Sequence, residues 1–142
     1  MKSPYFSVKE LVCKHVYERY GENAAMFLDD KLIETLNVIR EQILCAPMTV
    51  NNWHAGGNFT QRGLRCNICE LVKSKTDAGR LYMLGKAVDC NVEGMTAEEA
   101  RRLIIAKQEL LPYPIRLEDS VSWLHFDLYK NGKNEKVYLF KA

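Results

Sequence analysis

The chain has 142 residues, 47% hydrophobic and 27% charged, the balance of one globular domain, residues 1–142, with a single core. A net charge of +2 is too small to argue for nucleic acid, and no apolar run is long enough to span a bilayer. The opening MKSPYFSVKE lacks the apolar stretch of a secretory signal, and an odd count of five cysteines fits reduced thiols, so a cytoplasmic setting is expected.

Ser7-Val8-Lys9-Glu10 is a capping box, and Val8, Leu11, Val12 and Val16 follow at helical spacing. This predicts a helix over 8 to 20, ending before Gly21. A second helix is expected from Asp30 to Leu44, with Leu32, Ile33, Leu36, Ile39 and Ile43 as its buried stripe and Pro47 ending the pattern. MTVNNW reads as a strand, and HAGGNFTQRGLRCN, rich in glycine and polar groups, as a functional loop. Residues 86 to 92 alternate as a strand does. Thr96-Ala97-Glu98-Glu99 is a second capping box, opening a helix to about Glu109 anchored by Leu103 and Ile104. Pro112 and Pro114 bracket a turn. IRLED, SWLHFDLYK and KVYLFKA then read as three strands, with Asn131-Gly132 a hairpin signal between the last two. Helices first and strands last predict an α+β fold: N-terminal helices packed on a mostly antiparallel sheet.

Two residues on apparent strands have the chemistry of a metal site. Asp89 follows the small-residue lead-in Gly85-Lys86-Ala87-Val88, and His125 shares one strand face with Trp123 and Asp127 while Leu124 and Phe126 take the other. Zinc hydrolases use three protein ligands and leave a fourth position for water, and rigid strands suit such ligands. The plainer alternatives are a turn-capping Asp89 and a satisfied sheet histidine at 125. His15 reads as a surface or packing residue of the first helix. Cys66 and Cys69 have the spacing of half a zinc ribbon, but no second Cys-x-x-Cys follows.

The segments NNWHAGGNFTQRGLR, LGKAVDCNVEGMTAEEARRLI and LPYPIRLEDSVSWLHFDLY together resemble the M15-type zinc D-Ala-D-Ala peptidases, whose fold is shared with the hedgehog signalling domain. The likeness covers most of the chain and is greatest to the small members encoded by phages and their bacterial hosts. The family pattern is Ser-x-His-x-x-Gly-x-Ala-x-Asp, followed downstream by Trp-x-His, with both histidines and the aspartate as zinc ligands. The resemblance therefore implies Asp89 and His125 as zinc ligands. The first histidine belongs seven residues before Asp89, where this chain has Tyr82, and its companion serine falls at Arg80. Two accounts are open: a direct replacement by Tyr82, or, as preferred, a short deletion that removed a Ser-x-His segment. Tyr82 or His54 would be the replacement ligand, or there is none.

The resemblance further implies a carboxylate that takes a proton from zinc-bound water. One family placement falls on Ser122, the other on Asp119, with Glu118 beside it; Asp119 is the expected base and Glu118 its reserve. Arg62 matches the position that grips a substrate carboxylate, a task suited to the guanidinium fork; a solvated loop charge is the plainer reading of Arg62 and Arg65. The function so implied is a peptidoglycan peptidase acting on stem peptides, with zinc held weakly or not at all because one ligand is missing. The alternative is a protein that binds cell-wall peptide, or forms part of a virion, without cutting. A monomer is expected, with no nucleic-acid or membrane partner, released by phage lysis or carried in a virion.

Overall fold

At the N-terminus, the carboxylate of Glu10 accepts the Ser7 amide at 2.7 Å, closing the first capping box. Helix α1 then spans only Val8–Leu11 and α2 spans Lys14–Tyr20. The single helix expected over 8 to 20 is thus split, because Val12 and Cys13 are extended. Their main-chain groups find long-range partners instead. Leu64 donates to the Leu11 carbonyl and accepts from Cys13, both at 2.7 Å, as a parallel bridge. The Val12 carbonyl accepts from Asn51 Nδ2 (2.9 Å) and Trp53 Nε1 (3.1 Å). Val8, Leu11, Val12 and Val16 are all buried, so the apolar spacing alone does not reveal the break. Gly21 ends α2 with φ 58°, as its position suggests, and a 3-10 helix runs Gly21–Phe27.

Asp29 caps α3, Asp30–Val38, by accepting the Lys31 amide at 2.8 Å. The expected helix to Leu44 continues as a π-helical turn over Ile39–Ile43, with Leu44 N–H reaching the Ile39 carbonyl at 2.9 Å. The five residues of the expected stripe are all buried. The strand read in MTVNNW is shorter than expected: β1 is Met48–Thr49, and Trp53–Ala55 is a 3-10 turn. Strand β2 covers Ala87–Val92. Helix α4 is Ala97–Ala106, capped where the Thr96 hydroxyl oxygen accepts the Glu99 amide at 3.1 Å, and Gln108–Leu110 is 3-10. Strands β3, Ile115–Glu118, β4, Leu124–Asp127, and β5, Val137–Phe140, complete the sheet.

The computed structural model describes residues 3–64, 85–129 and 135–141. Cys66, Cys69, Arg65, Arg80, Tyr82 and the Asn131-Gly132 pair lie outside the described residues. The fold is α+β with a five-stranded mixed sheet in the order β1-β2-β4-β3-β5. Pairings β1–β2, β2–β4 and β3–β4 are antiparallel and β3–β5 is parallel. The hairpin expected between the last two strands is therefore corrected: β5 lies beside β3, with Leu117 opposite Leu139, and β3 separates it from β4.

Alternation gives the sheet two different faces. Val88, Cys90, Ile115, Leu117, Leu124 and Phe126 are buried in the common core with Leu36, Ile39, Ile43 and Ile104 from the helices. The opposite face carries Asp89, Asn91, Arg116, Glu118, His125 and Asp127. No described helix is long and apolar enough to cross a membrane.

Gly63 sits where a Cβ would land on the Leu11 carbonyl oxygen, so the loop before Leu64 approaches the helix break more closely than any side chain permits. Gly63→Ala should destabilise the fold by about 1–3 kcal/mol, the usual range for overpacking. The urea midpoint checks this, and an unchanged midpoint would mean that the loop is not clamped there.

Candidate functional site

Strands β2 and β4 pair with Asp89 directly opposite His125. Their side chains meet on the face away from the core: His125 Nδ1–H donates to Asp89 Oδ1 at 2.7 Å. On the other side of the ring, Nε2–H donates to Asp127 Oδ2 at 2.8 Å. His125 is 1% exposed and Asp127 is fully buried. Asp127 is also gripped by Arg116, its cross-strand partner on β3, through two bonds of 2.9 Å from Nε and Nη2. The Arg116 guanidinium lies over the rings of Phe140, at 3.8 Å, and Tyr129, at 4.5 Å. Phe140 also meets the His125 ring edge-on at 5.6 Å.

These contacts set the charge states. Burial works against a charged imidazole, but hydrogen bonds and attraction from Asp127 and Asp89 prevail and push His125 up to about 9. Burial likewise opposes ionisation of Asp127, yet the bonds from His125 and Arg116 hold its carboxyl below the usual range. Glu118 is shifted the other way: burial raises it, and Asp89 and Asp127 add to the rise while His125 and Arg116 oppose it.

The two expected metal ligands are thus brought together. They stand 2.7 Å apart as a hydrogen-bonded pair, closer than the roughly 3.3 Å that separates two ligands of one tetrahedral zinc. Among the described residues, no group of three or more His, Cys, Asp or Glu is arranged to hold a metal. Tyr82 lies outside the described residues. His54 is exposed in the 3-10 turn, with its ring edge-on to Trp53 at 5.6 Å. His15 is exposed in α2.

The two candidate bases part company. Glu118 shares the site face with Arg116 and feels the charges of His125, Asp89 and Asp127. Asp119 accepts the Ser120 amide at 2.8 Å and stands 4.0 Å from Arg101 Nε. Arg62 is positioned by main-chain bonds on both sides: its amide donates to Asn51 Oδ1 at 2.8 Å and its carbonyl accepts the Asp89 amide at 2.7 Å. Its guanidinium lies 3.8 Å from the Phe59 ring centre and donates to Asn91 Oδ1 at 2.9 Å. Beside it, a cavity of about 300 Å³ is lined by Asn58, Phe59, Thr60, Gln61, Arg62, Asp89 and Trp123.

Three contributors were not assigned roles from sequence. Asp127 was legible only as a residue sharing His125's face. Arg116 alternates with core residues in IRLE, a signal of exposure rather than of pairing. Arg101, 5% exposed, donates from Nη1 to the carbonyls of Val121 (3.1 Å) and Trp123 (3.3 Å), fixing the connection that leads into β4. A buried arginine on the inner side of an amphipathic helix leaves no mark in the pattern.

The His125 shift makes the metal-free fold sensitive to alkali. A folded value near 9, above the ordinary 6.5, supplies stability that is fully present below about pH 6.5 and lost as pH rises through about 9. Urea midpoints in chelator should fall across that window, and His125→Gln should flatten the profile. A midpoint that rises with pH there would contradict the two-carboxylate clasp. Compared with family models, curated proteins and solved structures, the chain matches none.

Proposed function

We propose that this chain belongs to the lineage of the zinc D-Ala-D-Ala peptidases, with the hedgehog-type fold, and that it recognises peptidoglycan stem peptides through an impaired metal site. The observation that carries this reading is the pairing of Asp89 with His125, two residues that the family pattern marks as ligands. They face each other in register on adjacent strands at 2.7 Å. The cavity beside Asp89, with Arg62 in its wall, adds a place for a short peptide end.

Zinc, when bound, would polarise the scissile carbonyl and lower the pKa of a bound water. Asp89 and His125 would hold it. Glu118, facing the same site with its proton affinity raised, suits a group that takes a proton from water and returns it to the leaving amine. It is better placed than Asp119, whose carboxylate is engaged by the Ser120 amide. Arg62 would clamp the terminal carboxylate of the peptide, with Phe59 beneath its guanidinium restricting the side chain.

The second reading is a peptide-binding or virion protein that no longer cuts. Tyr82 at the first-histidine position favours it, since two protein ligands leave an ion largely hydrated. A water on hydrated zinc has a pKa of about 9, against about 7 in a good site.

Zinc should therefore bind weakly, and hydrolysis of peptidoglycan fragments should be slight. Tyr82→His, or a restored Ser-x-His segment before Leu84, should tighten zinc and raise turnover, while Asp89→Ala or His125→Ala in that background abolishes it. Metal content after dialysis and hydrolysis with added zinc are the measurements. Stoichiometric, chelator-resistant zinc in the unmodified chain, or turnover indifferent to His125→Ala, would place the chemistry elsewhere. Independently of metal, Arg62→Ala should weaken binding of a D-Ala-D-Ala peptide about 10- to 100-fold, the worth of a charge-assisted pair; calorimetry showing no loss would remove the clamp.

A further inference from the structure

We propose that the open edge of the sheet, strand β5, pairs antiparallel with β5 of a second copy of this chain, so that one sheet runs through both. The inference is independent of the zinc reading above and replaces the monomer expected from sequence.

Among the described residues, β5 has a neighbour on one side only: β3, in parallel register. The carbonyls of Lys136 and Phe140 accept the amides of Ile115 and Asp119 at 2.8 and 2.7 Å. Main-chain groups alternate in direction along a strand, so Tyr138 also turns toward β3, while Val137, Leu139 and Lys141 turn their N–H and C=O groups outward. Proteins that keep an edge single blunt it with lysine or proline in the strand, a bulge, or a covering element. Val137–Phe140 reads VYLF, with neither lysine nor proline, and Leu139 is 44% exposed. Leu139 stands in register with the core residue Leu117, so it carries the apolar layer out to the open edge.

The row that faces outward reads Glu135, Val137, Leu139, Lys141, and it is complementary to itself when reversed. In an antiparallel pairing centred on Tyr138, Val137 of one copy lies opposite Leu139 of the other, and each such pair exchanges both of its main-chain bonds. Leu139 then meets an apolar partner in place of water. The same alignment brings Lys141 level with Glu135 of the other copy, at both ends of the pairing; both residues are exposed. A slip of two residues either way loses this match, setting Lys141 against Val137 or Glu135 against Leu139. Opposite charges directly across a strand pair stabilise it, and like charges oppose it. A two-fold pairing of one patch with itself closes on two copies and leaves no β5 edge from which to grow.

Sedimentation equilibrium of the full chain over a dilution series tests this, with circular dichroism and the urea midpoint showing that each variant is folded. The unmodified chain should be dimeric at the concentrated end and dissociate on dilution. Leu139→Lys, at an exposed position, should keep the fold and be monomeric throughout. Lys141→Glu sets like charges opposite each other at both ends and should weaken the dimer about 5- to 30-fold, and Glu135→Lys should do the same. The double variant Glu135→Lys/Lys141→Glu restores opposite charges and should recover the unmodified dissociation constant. A chain that is monomeric at every concentration overturns the proposal, including one whose edge is taken only by an extended segment of another protein. So does a dimer indifferent to Leu139→Lys, or a double variant no tighter than the single ones. The charge variants alter only exposed residues outside the strand, so the swap decides the matter even if Leu139→Lys fails to fold.

Discussion

The imidazolium of His125, clasped between Asp89 and Asp127 and sealed from water, constrains everything around it. Moving an ion into a protein interior costs several kcal/mol even after relaxation. Here the cost is offset because buried His125 and Asp127 form a neutral set with the partly exposed Asp89 carboxylate and Arg116 guanidinium. Removing any one would strand an uncompensated charge. The same clasp fixes strand register. A slip of one residue between β2 and β4 would turn either Asp89 or His125 into the apolar core and expel Val88 or Phe126 with it. Both faces of the sheet therefore enforce one alignment.

The remaining pieces of the site are brought to this clasp by buried polar side chains that grip main chain. Asn51 spans from the Val12 carbonyl to the Arg62 amide, so the break in the first helix and the cavity loop share one anchor. Arg101 does the same for the turn between β3 and β4. In both cases an irregular segment is held by hydrogen bonds from the rigid body of the fold. Such segments would otherwise be the loosest parts of the molecule.

What the sequence reveals follows the range of the interaction responsible. The Ser7–Glu10 box, the α3 stripe and the alternation of Asp89 and His125 are set by neighbours a few residues away, and they are legible. The split at Val12 is not, because its cause is Leu64 and Asn51, far along the chain. The Asn131-Gly132 pair suggested adjacency of the last strands, but a turn signal carries no information about which strand wins a place in the sheet. Asp119 and Glu118 differ by one position, and one position in a strand decides which face a carboxylate occupies. Asp127 stood in plain view, and only the partner strand, through Arg116, gives it a purpose.

The stretch 65–84 leaves the described structure at Leu64 and returns at Gly85, and each of these residues is secured without reference to the other. Leu64 is bridged to Leu11 and Cys13. Gly85, at φ 67°, accepts the Asp29 amide where a Cβ would strike the Phe27 carbonyl, and next to it Lys86 is ion-paired to Asp29 at 2.8 Å. The core and the clasp are therefore held independently of whatever lies between Leu64 and Gly85, and each end of the stretch keeps its own anchor.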